Sequence, residues 1–372
     1  MRVVISAGGT GGHIYPALAI INKIKDMEPD SEFLYIGTTD RMESKLIPEL
    51  GINYVGVEMK GLDRKHLLNN FKVLWMYQKA KEKVKAHIKK FNPDIVIGVG
   101  GYITAPVIKM GAKLNYKTII HEQNSIPGVS NKKLSKIVNK VLVSLPDSIS
   151  YFPKEKVVYT GNPRSEEIVS IKPANISDLG FSRTKKLVVI VMGSLGSATI
   201  NKVELEMLPS FKDKNYQVLL ITGERYFDDY KNLNIPTNVK VVPFLKDFIN
   251  VLKSSDLIVS RAGASTIAEI TAIGLPSILV PSPYVTNNHQ LKNAKELSKA
   301  SACKILEEVD FNKDNLIKLI DEILGDEKLY KTMQKGAKSL GVTNSATRVY
   351  NELKKVIEVD YNEWVLNRCR KK

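Results

Sequence analysis

The chain has 372 residues, 43% of them hydrophobic and 25% charged, with 55 Lys and Arg against 39 Asp and Glu for a net charge of +16. That length suits two domains rather than one core, and the balance excludes an intrinsically disordered chain. No apolar run approaches the roughly 20 residues of a spanning helix, and the two cysteines, Cys303 and Cys369, form no disulfide framework or zinc pattern, so a cytoplasmic protein is expected.

Residues 2–6, RVVIS, read as a buried first strand, followed by the glycine loop AGGTGGH at 7–13 and a helical pattern from about Tyr15 to Met27. Glu32–Ile36 is a second strand that leads through residues 37–41 into a helix, and Tyr54–Val57 is a third. Asp94–Gly98 meets a second glycine loop, and Thr118–Asn124 follows the intervening helix. Val141–Val143 and Val157–Tyr159 close this half. Strands that alternate with helices predict a parallel sheet.

A second copy of the plan starts near Lys186. Leu187–Val191 with the loop 193–197 matches the first strand and glycine loop, and Ser255–Val259 echoes Pro93–Ile97. Around the echo, residues 254–293 contain a strand at Asp256–Val259, a small-residue turn at 261–266, a helix at Ile267–Ile273 ended by Gly274-Leu275-Pro276, and a polar return at Asn288, His289 and Gln290. Ligands of open parallel sheets sit at the carboxyl ends of strands, where helix N-termini favour anions. Arg261, Glu269 and Gln290 there suit a ligand with phosphate, ribose and sugar hydroxyls. Residues 313–340 read as helical, and Thr347–Arg370 as an amphipathic helix able to cross back to the first half. The expected architecture is α/β, two doubly wound Rossmann-like domains in tandem, 1–161 (with a C-terminal helix at about 345–372) and 162–344.

The loop at 8–12 is neither G-x-G-x-x-G nor a P-loop, so neither a dinucleotide fingerprint nor P-loop phosphoryl transfer is expected. His13 stands at a helix start, which disfavours its charged form and suits a general base; a capping or packing role is the alternative. His121 and Glu122 end a strand, either as ligand groups or as a local hydrogen-bond network. No Asp-x-Asp stands at a strand end, so no metal or other cofactor is expected, and a diphosphate leaving group would rely on Gly193-Ser194 and Arg164.

Six ordered motifs now carry a resemblance: GGTGGH at 8–13, GGYITAP at 100–106, HEQN at 121–124, TGNP-R at 160–164, SRAGA-T-AE at 260–269 and NHQ-NA at 288–294. Together they resemble the MurG family of bacterial N-acetylglucosaminyltransferases. The resemblance implies a GT-B fold with two domains facing across a cleft, UDP-N-acetylglucosamine as donor, lipid I as acceptor and lipid II as product. By position it implies that Glu269 accepts the ribose hydroxyls, that the Leu245 backbone meets uracil, and that Ser194 and Arg164 lie near the phosphates. Gly263, Ala264, Ser265 and Thr266 would line the nucleotide sugar, Gln290 would read its hydroxyls, and Asn124 with Thr10, Gly11 and Gly12 would close over it. His13 and Glu122 would be the catalytic candidates, with Tyr102 and His121 on the acceptor side. The family's third loop, commonly GGSQGA, is here Met192-Gly193-Ser194-Leu195-Gly196-Ser197.

Residues 60–90 hold ten Lys or Arg against two acids, with Leu67, Leu68, Phe71, Val73, Leu74, Trp75, Met76 and Tyr77 interleaved. A lipid-linked acceptor makes this stretch a contact with an anionic inner-membrane surface, and the protein peripheral on its cytoplasmic face. No nucleic-acid motif accompanies the charge, so nucleic acid is not an expected partner. The alternatives are a UDP-N-acetylglucosamine 2-epimerase, which needs no lipid acceptor, and a nucleotide-sugar-binding regulator without catalysis.

Overall fold

Valine- and isoleucine-rich runs covered on both faces become parallel strands, and two such sheets organise the chain. The computed structural model describes residues 1–59, 70–193 and 197–369, and within these the side chains of all but 70–74 and 359–369. Two compact units result: Met1–Arg164 together with the chain from Asn344 on, and Ser165–Thr343.

The first unit contains β1 (Arg2–Ala7), α1 (Gly11–Met27), β2 (Glu32–Thr38), α2 (Glu43–Glu49), β3 (Asn53–Val57), α3 (Asn70–Phe91), β4 (Ile95–Gly100), α4 (Thr104–Lys113), β5 (Lys117–Glu122), α5 (Val129–Leu134), β6 (Lys140–Val143) and β7 (Val157–Tyr159). Its sheet has the order β3-β2-β1-β4-β5-β6-β7, with Val3 opposite both Phe33 and Ile95. The order reverses between β1 and β4, so the loops after these two strands open a crevice.

After α6 (Arg164–Ser170), the second unit runs through β8 (Leu187–Val191), α7 (Ala198–Met207), β9 (Gln217–Ile221), β10 (Val239–Val242), α8 (Phe248–Leu252), β11 (Leu257–Ser260), α9 (Ala264–Ile273), β12 (Ser277–Leu279), α10 (His289–Lys299), β13 (Cys303–Ile305), α11 (Lys313–Gly325) and α12 (Glu327–Leu340). The sheet order β10-β9-β8-β11-β12-β13 repeats the plan, with its reversal between β8 and β11.

The last helix, α13 (Ser345–Cys369), belongs to the first unit. Val349, Leu353 and Val356 recur at helical spacing and are buried in the same core as Ile20 and Ile24 of α1, each worth roughly 1.5–3 kcal/mol of burial. Glu28 fastens the helix at this end, accepting from Tyr350 Oη at 2.8 Å and Lys354 Nζ at 3.1 Å.

Several boundaries depart from expectation. α1 begins at Gly11 and α9 at Ala264, because small residues there continue the helix instead of ending the turn. The helical span 313–340 is two helices: the Asp326 carboxylate accepts from the backbone of Lys328 and Leu329 and caps α12, which forces an extended residue between them. In α3, Met76, Ala80, Val84 and Ile88 point into the core and Tyr77 packs against it, so Met76 and Tyr77 do not belong to an outward apolar face. Trp75 is 58% exposed with Lys79 Nζ 3.7 Å from its ring centre. The expected apolar residues Leu67 and Leu68 lie outside the described residues.

Candidate active site

In the first unit, β1, β4 and β5 are adjacent and parallel, so the loops that follow them emerge on one edge. They bring together Thr10, Gly11, Gly12 and His13 at the start of α1, Tyr102 after β4, and His121, Glu122 and Asn124 at the end of β5. Thr10 is the extended residue before α1 and uses its carbonyl, which accepts from the His13 backbone.

His13 is half-buried, and its Nδ1 lies 3.2 Å from the Gly8 carbonyl oxygen, which only accepts; Nδ1 therefore carries the hydrogen and Nε2 is the basic nitrogen. The ring fits because residue 100 is glycine. A Cβ there would come within 2.4 Å of His13 Cδ2, and Gly100 also has φ +131°.

His121 and Glu122, expected at the acceptor side and as a catalytic candidate, are both engaged in a buried hydrogen-bond network. His121 is fully buried, with Nε2 donating to the Gly161 carbonyl at 3.2 Å and Nδ1 accepting from Gln123 Nε2 at 3.0 Å. Burial, opposed by the Gly161 hydrogen bond and aided by the neighbouring His13, brings its pKa down to about 4. Glu122 is 2% exposed and accepts four donors: Asn124 N at 3.0 Å, Asn124 Nδ2 at 3.3 Å, Gly128 N at 3.0 Å and Asn131 Nδ2 at 2.9 Å. These bonds orient Asn124 and the turn before α5. Arg164 ends this unit with its guanidinium 5.0 Å from the Tyr15 ring centre.

In the second unit, β8, β11 and β12 likewise send their loops to one edge. Gly263 is the extended N-cap of α9, followed by Ala264, Ser265 and Thr266 in its first turn, so their backbone N–H groups face away from the helix. Ser265 Oγ is buried without a hydrogen-bond partner among the described residues. Glu269 is 9% exposed on the same helix. Gln290 Oε1 accepts from Ser282 N at 2.8 Å, which closes the loop before α10. Leu245, between β10 and α8, is half-buried against a small apolar cluster.

Arg261, expected among the ligand groups, is ion-paired within the second unit. Its Nη2 lies 2.6 Å from Glu308 Oε2 and 3.0 Å from Ser197 Oγ, and Nη1 donates to the Val280 carbonyl. The ion pair forms because two opposite charges at this depth have little water to share. Ser194 lies outside the described residues.

Two participants went unnoticed in the sequence. Glu308 partners Arg261 from a loop over 40 positions away, and no spacing signal joins them. Glu43, at the start of α2, is fully buried and reaches the first glycine loop; the only trace was an acid in the helix after strand two.

The glycosyltransferase family 28 N-terminal domain model matches residues 3–143, and the corresponding C-terminal domain model matches residues 187–349. The UDP-N-acetylglucosamine--N-acetylmuramyl-(pentapeptide) pyrophosphoryl-undecaprenol N-acetylglucosamine transferase of Bacillus pumilus is 47% identical over 361 residues, covering 96% of this chain and 99% of the relative. A crystal structure of Acinetobacter baumannii MurG is 26% identical, spans 95% of this chain and 99% of its own, and superposes with a TM-score of 0.77. The chain belongs to the MurG family. The Bacillus subtilis transferase of the same description is 45% identical over 361 residues, 96% of this chain and 99% of that one. A UDP-GlcNAc 2-epimerase from Neisseria meningitidis bound to UDP-GlcNAc shares only 16% identity over 95% of this chain and 100% of its own at a TM-score of 0.67, a likeness of fold alone. The MurG relationship makes the chain a glycosyltransferase of GT-B fold, and the epimerase alternative is left with a distant structural neighbour.

Proposed function

We propose that this chain transfers N-acetylglucosamine from UDP-N-acetylglucosamine to the 4-hydroxyl of the N-acetylmuramoyl residue of lipid I, giving lipid II for peptidoglycan synthesis. The observation that carries the reading is 47% identity over 361 residues to a transferase of that description.

In this reading the first unit, Met1–Arg164 with the chain from Asn344 on, receives the acceptor, and the second, Ser165–Thr343, holds the donor. The acceptor hydroxyl attacks the anomeric carbon as UDP leaves from the opposite face, so configuration inverts. His13 takes the hydroxyl proton at Nε2, the nitrogen left basic by the Nδ1–Gly8 contact. Glu122, with four donors on its carboxylate, orients Asn124 instead of exchanging protons, and buried His121 supports the strand end. Arg164, Ser194 and the N-terminus of α9 meet the diphosphate, Glu269 the ribose, the Leu245 backbone the uracil, and Gln290 the sugar hydroxyls. Thr10, Gly11, Gly12 and Asn124 contribute to binding the nucleotide sugar, and Tyr102 stands on the acceptor side.

Incubating the purified protein with labelled UDP-N-acetylglucosamine, with and without a lipid I analogue, tests this. Label should enter lipid only when acceptor is present. Epimerised donor without acceptor, or binding with no turnover, would overturn it.

The lipid-linked acceptor also places the enzyme at the cytoplasmic membrane face in this proposal. No helix among the described residues is long and apolar enough to cross a membrane, so contact would be peripheral. Exposed Trp75 beside Lys79 supports contact through residues 60–90. Vesicle sedimentation should show binding to anionic and not to neutral lipid; equal, negligible binding would reject it.

A further inference from the structure

We infer that Glu43 is a positioning residue for His13, acting through the one peptide group that joins Gly8 to Gly9. The inference deepens the proposed function and rests on its reading of His13 as the base.

The Gly9 N–H donates to Glu43 Oε2 at 3.2 Å, and the Gly8 carbonyl accepts from His13 Nδ1 at 3.2 Å. That N–H and that carbonyl are the two ends of a single planar peptide. Carboxylate, peptide and imidazole therefore form a relay in which a charge at one end polarises the acceptor at the other. Hydrogen bonds in series strengthen one another, most where water is excluded. Glu43 is fully buried, and its other oxygen accepts from Thr38 N at 3.1 Å and Thr38 Oγ1 at 2.7 Å, so every one of these partners donates to it.

The backbone around the relay is closely packed. A Cβ on Gly8 would come within 2.6 Å of Glu43 Oε1, and one on Gly101 within 2.4 Å of the Gly8 carbonyl oxygen. The Gly8 N–H is taken by the Gly100 carbonyl at 3.1 Å. The loop thus turns its Gly9 N–H inward to a carboxylate, unlike an anion cradle, whose N–H groups face the ligand. Its outward consequence falls on His13: the Nδ1 hydrogen is fixed, and the imidazolium that forms when Nε2 takes a proton is stabilised.

Other ionisable groups face the relay. His121 of β5 lies near His13, and burial with His13 itself holds it down at about 4. Asp40 and Arg41 precede α2, and Tyr102 holds Arg41 in its cationic form by a hydrogen bond. Burial, then Glu43, raises the phenols of Tyr35 and Tyr54. Around neutral pH, His121, Arg41 and the two tyrosines keep one charge state, so a titration there reads His13.

The test uses the full chain labelled with 15N glycine and histidine. In the wild type, the Gly9 amide resonance should move along the His13 titration. In Glu43→Gln, the His13 midpoint and the acid limb of kcat/KM should both move to lower pH by roughly half a unit to one unit, because the imidazolium loses its distant carboxylate. Turnover should fall roughly tenfold with KM for the donor within about twofold. Glu43→Asp, which keeps the charge, should restore the midpoint. A Gly9 resonance that stays flat while His13 titrates overturns the relay even if the variants do not fold. An unmoved His13 midpoint in folded Glu43→Gln overturns it too, since a purely structural role lowers turnover without moving that midpoint. The resonance does not depend on turnover, so full activity in His13→Ala would remove the base assignment alone.

Discussion

Arg261 Nη2 lies 2.6 Å from Glu308 Oε2 with the two side chains only 11% and 9% exposed. Thr199 also donates to Glu308, and Ser197 contacts Arg261, so this pair ties the start of α7 to the loop after β11. Removing one member leaves a buried charge alone. Glu308→Ala should destabilise the second unit by about 3 kcal/mol, read as a lower urea midpoint by circular dichroism. An unchanged midpoint would mean that water already reaches the pair.

The two units should respond to pH in opposite directions. His121 titrates near 6.5 when unfolded and at about 4 when folded, so its contribution is complete above 6.5 and is lost as pH falls towards 4. Glu204 on α7 runs the other way: burial raises its pKa from 4.5 to about 8, against the opposing Tyr230 hydrogen bond and Arg261. The folded state keeps that proton while the unfolded one loses it, so stability present below 4.5 is lost as pH rises to about 8. The effects are on the order of 3 kcal/mol for His121 and about 5 kcal/mol for Glu204. Hydrogen exchange read separately in β5 and β11 should show acid weakening the first and base the second, and Glu204→Gln should flatten the second.

Gly100 is where His13 packs closest. Gly100→Ala would drive a methyl to within 2.4 Å of the ring at a backbone φ of +131°. The expected outcome is a fall of about a hundredfold in turnover with donor affinity unchanged by calorimetry, since a displacement near 1 Å costs about that much. A parallel loss of affinity would indicate wider collapse.

Glu269 sits on α9 and is 9% exposed. If it accepts the ribose hydroxyls, Glu269→Ala should weaken UDP binding by about tenfold or more, a charged hydrogen bond being worth about 1.5–3 kcal/mol. Equal affinity by calorimetry would remove it from the donor site.

The parts of the fold that were legible in the sequence are those whose signal is local. Leu187–Val191 and Leu257–Ser260 announce themselves as branched apolar runs before small-residue turns. Gln217–Ile221, Val239–Val242 and Cys303–Ile305 did not, because Gln, Lys or Cys interrupts or opens the apolar run. Motif order revealed the family, and with it the candidates His13 and Glu269. Glu43 and Glu308 stayed hidden because their roles depend on burial against residues distant in sequence, which no period or spacing records. His121 was legible as a polar residue at the end of a strand, whereas its complete enclosure was not.

Val349, Leu353 and Val356 fill a core whose other walls come from β1, α1 and β4. A ribosome therefore makes the whole second unit before it releases the helix that completes the first. Until then Ile20 and Ile24 of the nascent chain lack that cover, and the first unit is the later of the two to mature. Shortening the chain before Ser345 should leave a protein that is captured by chaperones and recovered largely in inclusion bodies, even though every residue of the first seven strands is present.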